Sequence, residues 1–234
     1  LAVFGFFGLL VVGFSGILLP MFALSPAPPE RPSRAIFALA AGVILVAAAA
    51  AAFGARYALA PAVAGGFVVA LAHMVAIERS LAKRMRRKLG ISFTMMRTAH
   101  ALLLIGLAIG FAVVLDAPLA NAGALFGWIV IAGWLMTFLF GVLQRILPFL
   151  ASMHVGRSRG RSPLLSEIGP QRPLAVHAVC HMTAVVVVGA GIVADRAAVI
   201  QLGAAIGLAG ALAFLWFTVT VIRHILARRE PAAT

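Results

Sequence analysis

Histidine is the residue of this chain best suited to chemistry. Six are present, at 73, 100, 154, 177, 181 and 224, beside a single cysteine, Cys180. His177 and His181 are four apart, which on a helix puts both rings on one face about 6 Å apart along the axis. Neutral imidazole is the commonest protein metal ligand and an axial ligand of haem iron. Sulfur stands next to imidazole at His73-Met74, Met153-His154 and Cys180-His181-Met182, and thioether and thiolate suit Cu(I). Neighbours on a straight helix diverge by about 100°, so these pairs line a path rather than chelate one ion.

Other chemistries lack their parts. One cysteine makes no internal disulfide and no Cys-rich zinc or iron–sulfur framework. No Ser/His/Asp grouping, Walker-type loop or dinucleotide glycine fingerprint is found. The HxxxH at 177–181 is similar to that of seven-span zinc hydrolases, but the acidic and serine partners they use have no counterpart at matching depth.

The elements that position these histidines follow from composition. Of 234 residues 63% are apolar and only 11% charged, with mean hydropathy +1.10. Soluble domains run at roughly 25% charged, so the chain reads as a polytopic, all-α membrane helix bundle. A bilayer core takes about 20 apolar helical residues. Seven stretches qualify: 1–24, 35–54, 57–77, 92–115, 121–150, 173–194 and 197–226. The third has Pro61 in its first turns, where proline is tolerated. The fifth is too long for a simple span and is expected to tilt or extend beyond the membrane. Ser25–Pro29, Asp116–Pro118 and the stretch 156–173 read as loops. The opening stretch lacks a basic n-region and a small-residue cleavage site, and reads as a span rather than a signal peptide.

Charge orients the bundle. Seventeen of nineteen basic residues fall on one side, with Glu30, Glu78, Glu167 and Glu230. Arg56 and Arg196 fall on the other, beside Asp116 and Asp195. Positive loops stay cytoplasmic, so the N-terminus is expected outside and the C-terminus inside, in a bacterial inner membrane. The run Lys83-Arg84-Met85-Arg86-Arg87-Lys88 is accounted for by that rule. Anionic lipid headgroups, not nucleic acid, are its expected partners.

On this topology every histidine lies in the cytoplasmic half. His100 and His181 lie about two turns in, and His73 and His177 about one. His154 and His224 sit at the interface. A haem held by two histidines takes rings from different helices at one depth, which makes His100 with His181 the first candidate pair and His73 with His177 the second. Arg97, one turn from His100, suits a haem propionate. Simple packing is the competing reading, since a membrane histidine bridging helices is worth roughly 0.6–2 kcal/mol.

Two echoes suggest an internal repeat. Gly13–Ala23 and Gly141–Ala151 align in Gly, Pro and Ala at an offset of 128, and Ile77–Arg84 echoes Ile222–Arg229 at 145. Residues 1–91 then form a first three-helix unit, and 92–234 a linking helix plus the second unit. Gly106 and Gly110, Gly123 and Gly127, and Gly203 and Gly207 have the four-residue spacing of close helix packing.

The segment Gly133–Leu150, with Ala99-His100 in the preceding span, resembles small membrane proteins related to haem-copper oxidase subunit I. The haem- and copper-binding nitric-oxide-response membrane proteins are similar. The resemblance covers spans four to six and carries over only His100. It implies haem b binding and electron exchange with quinone or other respiratory subunits. The chain has seven spans rather than twelve and no adjacent His-His pair for a copper centre, so oxygen or nitric-oxide reduction is not implied.

The expectation is an integral membrane haem b protein for electron transfer or redox or nitric-oxide sensing, as a respiratory subunit rather than a stand-alone enzyme. Two alternatives stay open: a copper or small-solute transporter or channel, and a structural subunit without cofactor.

Overall fold

The computed structural model describes residues 1–86, 88–159 and 170–226, with the backbone alone at His154 and His224. Among the basic residues assigned to the cytoplasmic side, Arg87, Arg161, Arg228 and Arg229 lie outside the described residues. The described chain is all helix. Seven helices are long and apolar enough to cross a membrane: α1 (Ala2–Ala23), α2 (Glu30–Ala52), α3 (Leu59–Ala82), α4 (Ile91–Val114), α5 (Ala122–Met153), α6 (Gln171–Val193) and α7 (Ala197–Leu226). This is a multi-pass membrane protein.

Three helices run further than their apolar stretches predict. The α2 helix begins at Glu30, not near 35, and its polar first turns are held by bonds between their own side chains and backbone. Ser33 Oγ donates to Pro29 O at 2.9 Å, and Arg34 pairs with Glu30 one turn away at 2.5 Å. The α3 helix continues past 77 to Ala82, and α5 stays helical to Arg159, which shortens the loop expected from 156. Residues 160–169 of that loop lie outside the described residues. Hydropathy marks what fits in lipid; hydrogen bonding carries a helix past it.

Helix ends meet in two groups. Met85 N donates to Leu24 O at 3.1 Å, joining the ends of α1 and α3, and Asn121 Nδ2 donates to Ile192 O at 3.0 Å, joining those of α5 and α6 at the opposite end. The two groups correspond to the basic and neutral sides.

In lipid, apolar burial gives no preference for helix contact, so small residues and close van der Waals packing hold the bundle. Phe14, Leu45, Val186, Leu212 and Trp216 point outward, where lipid is their solvent. The most deeply buried span is α5. One side of it packs through Trp134, Phe138 and Val142 on Phe93 and Met96 of α4, Ile77 of α3 and Leu19 of α1. The other packs through Ala132 on Val185 of α6, and through Ala151 on Phe217 and Val221 of α7. Gly106, Gly110, Gly203 and Gly207 do stand at helix contacts, but Gly123 and Gly127 face open space, so only two of the three spaced pairs are packing devices.

Both α1 and α5 contain a widened π-helical stretch and an internal proline. The stretches are Ala2–Gly8 and Ile129–Met136, the prolines Pro20 and Pro148. An offset of 128 superposes the prolines and carries Ala2–Gly8 onto 130–136.

Candidate functional site

The histidines gather into two sets on opposite faces of α5. In the first, His73 of α3 and His100 of α4 stand with ring centroids 5.7 Å apart, tilted by 44°. In the second, His177 and His181 of α6 are 5.7 Å apart and nearly parallel, at 20°. Phe138 of α5 meets His100 edge-on at 5.4 Å. Phe140 meets His177 at 4.5 Å and His181 at 5.3 Å, with Phe214 of α7 completing the aromatic wall. Residues 138 and 140 are about 200° apart around a helix, so the backbone of α5 divides the sets.

The two sets are wired alike. His73 Nε2 lies 2.7 Å from Ser15 Oγ of α1, whose hydroxyl is also 3.3 Å from Val12 O. His181 Nε2 lies 2.8 Å from Thr137 Oγ1 of α5, whose hydroxyl is 3.0 Å from Ala132 O. Each hydroxyl gives its hydrogen to its own helix and accepts one from imidazole, which protonates Nε2 and leaves the lone pair on Nδ1. Thr137 reaches back five residues rather than four because it closes the π-helical stretch.

The second ring of each set has the opposite tautomer. His100 Nδ1 donates to Met96 O at 2.8 Å, and His177 Nδ1 donates to Gly210 O at 3.0 Å. Their Nε2 atoms are buried and have no hydrogen-bond partner. A ring pinned through Nδ1–H with a bare Nε2 lone pair is the form in which histidine binds a metal.

The depth-matched pairs of the sequence, His100 with His181 and His73 with His177, are therefore not the pairs in ring contact. Arg97 is also engaged elsewhere. Its Nε and Nη2 both bond the Glu78 carboxylate at 2.6 Å, clamping α4 to α3 at a half-exposed site. Cys180 faces Gly210 of α7 while His181 faces Thr137 of α5, so the cysteine and its neighbour diverge as helix geometry requires. Among the described residues no three His, Cys, Asp or Glu side chains converge as a metal-ligand set.

Ser15, Thr137 and Phe140 are the residues that ionisable-group reasoning missed. Ser15 and Thr137 are fully buried hydroxyls inside apolar spans. Such groups need partners in lipid, and that was the available signal. Thr137→Val keeps the shape of the side chain but removes the acceptor for His181. It is expected to lower stability by about 1–2 kcal/mol, read as an earlier unfolding midpoint in detergent titration, with Thr137→Ser near wild type.

Room for a ligand is unequal between the sets. His73 lines a cavity of about 520 Å³ between α1, α2 and α3, whose polar rim carries Glu30, Ser33 and Arg34. That is within the 300–1,000 Å³ usual for cofactor and small-molecule sites. The second set is walled by Phe140 and Phe214. No family model, curated protein or solved structure matches the chain.

Proposed function

We propose that this is a haem b-binding membrane protein that carries electrons, seated in a bacterial inner membrane with its basic end cytoplasmic. The observation that carries the reading is the first histidine set: His73 lines a cavity of cofactor size, and the ring it touches, His100, has a buried Nε2 with no partner. A bound haem would ask the protein for one or two imidazole nitrogens, the number each set offers. The resemblance of Gly133–Leu150 to haem-binding membrane proteins supports it, since Phe138 of that segment packs on His100.

The geometry favours one pair of residues for holding the group. His100 and His181 meet opposite faces of α5, through Phe138 and Thr137, which favours His73 over His181 as the partner of His100. His73 and His100 would hold it, and Arg34 at the cavity rim would have to exchange its Glu30 partner for a propionate. A bound haem would supply a one-electron couple; the chain supplies two oriented imidazoles and an apolar shell that excludes water.

The test is the absorption spectrum of the full chain purified from haem-replete bacteria. A Soret band and a sharp reduced α band, with haem stoichiometric to polypeptide, are expected. A colourless preparation that also fails to take up added haemin overturns the reading. Copper found in its place would favour metal handling.

A further inference from the structure

A second cavity, of about 210 Å³, lies at the basic end between α1, α4, α5 and α6, away from the histidines. Its wall carries Arg86, Lys88 and Arg145 and no carboxylate. Arg145 is half-buried and held rigidly. Its Nε donates to Ser92 Oγ at 2.7 Å, its Nη2 donates to Leu89 O, and its guanidinium lies 5.4 Å from the centre of the Phe93 ring. All these partners are neutral. The ion pairs among the described residues are Arg34–Glu30 and Arg97–Glu78, so among the described residues the charge of Arg145 has no counter-ion. Arg86 likewise bonds a backbone oxygen, that of Phe22, at 3.5 Å.

Two further features point to what fills the cavity. Helices α4 and α6 begin there, at Ile91 and Gln171, so two positive dipole ends add to the three cations. Gln144, only 3% exposed, also lines it. Its Nε2 faces Met95 Sδ at 3.1 Å, and its Oε1 is a buried acceptor with no partner. An anion satisfies the cations, and a hydroxyl beside it satisfies Gln144.

We propose that this cavity binds a phosphate ester whose alcohol carries a free hydroxyl, the chemistry of a glycerol phosphate, supplied either by a lipid headgroup or by a soluble phosphoglycerol. The phosphate sits against Arg145, Arg86 and Lys88, and the hydroxyl donates to Gln144 Oε1. The volume admits a headgroup.

Native mass spectrometry of the detergent-solubilised full chain tests this, with phosphatidylglycerol as probe and phosphatidylcholine as control. Saturable uptake of phosphatidylglycerol over phosphatidylcholine is expected, weakened at least tenfold in the Arg86→Gln/Lys88→Gln double variant. Arg145→Gln should do the same; if it fails to fold, the double variant, which touches less buried side chains, carries the test. Glycerol 3-phosphate competing with the lipid identifies a soluble source, and no competition identifies the lipid. Equal uptake of the two lipids, or uptake unchanged in the double variant, overturns the proposal.

Discussion

His100→Ala is expected to cut the haem content of the purified protein at least tenfold, and His73→Ala to leave haem bound but five-coordinate, with an open position that takes carbon monoxide. His100 presents the bare Nε2, pinned through Met96 O in a site only 5% exposed, and nothing nearby replaces it. His73 shares its Nε2–H with Ser15 and would have to ligate through Nδ1, so it is expected to be the weaker of the two ligands. His177→Ala and His181→Ala should leave haem content within about twofold, because α5 separates them from the cavity. The measurement is haem per polypeptide with the reduced spectrum of each variant. Haem lost in His181→Ala but kept in His73→Ala would restore the pairing expected from depth and show that α5 is no divider. Arg97→Gln should leave the spectrum unchanged, since that guanidinium is bound to Glu78.

Depth in the membrane was legible and direction around the helix was not, which explains where the reading of the chain held and where it departed. A residue's depth follows from counting along a span whose ends are marked by charge, and the seven spans emerged close to their observed limits. Azimuth has no comparable mark, because lipid and protein interior are both apolar and the usual polar-out, apolar-in stripe is missing. Thus His100 was matched by depth to His181, while the ring it touches is His73 on the adjacent helix. The same blindness assigned Gly123 and Gly127 to contacts they do not make. Buried hydroxyls supply the missing direction. Ser15 and Thr137 each fix which way a histidine faces, and the π-helical stretches ahead of them leave no trace in composition.

Gly203→Val is expected to separate α6 from α7, at a cost of about 3 kcal/mol. These helices form a hairpin across the short turn at Ala194–Arg196, and their backbones approach at glycines. A Cβ at 203 would lie 2.6 Å from Val188 Cγ2 and 2.9 Å from Val188 N; one at Gly191 would lie 2.9 Å from Ile200 N. A side-chain methyl can rotate away, but a backbone nitrogen moves only with its helix. The effect should travel seven residues along α7 to Gly210, whose carbonyl holds His177 Nδ1 at 3.0 Å. Losing that bond would free the His177 ring within its Phe140 and Phe214 wall while the first histidine set stays intact. Unfolding in mixed micelles of increasing SDS fraction reads the stability change, and Gly127→Ala serves as control, since nothing lies within 4 Å of a Cβ there. A wild-type midpoint for Gly203→Val would mean that the hairpin is looser than its glycines imply. A wild-type haem spectrum in a destabilised Gly203→Val protein is the expected companion result, because the hairpin and the cavity lined by His73 lie on opposite faces of α5.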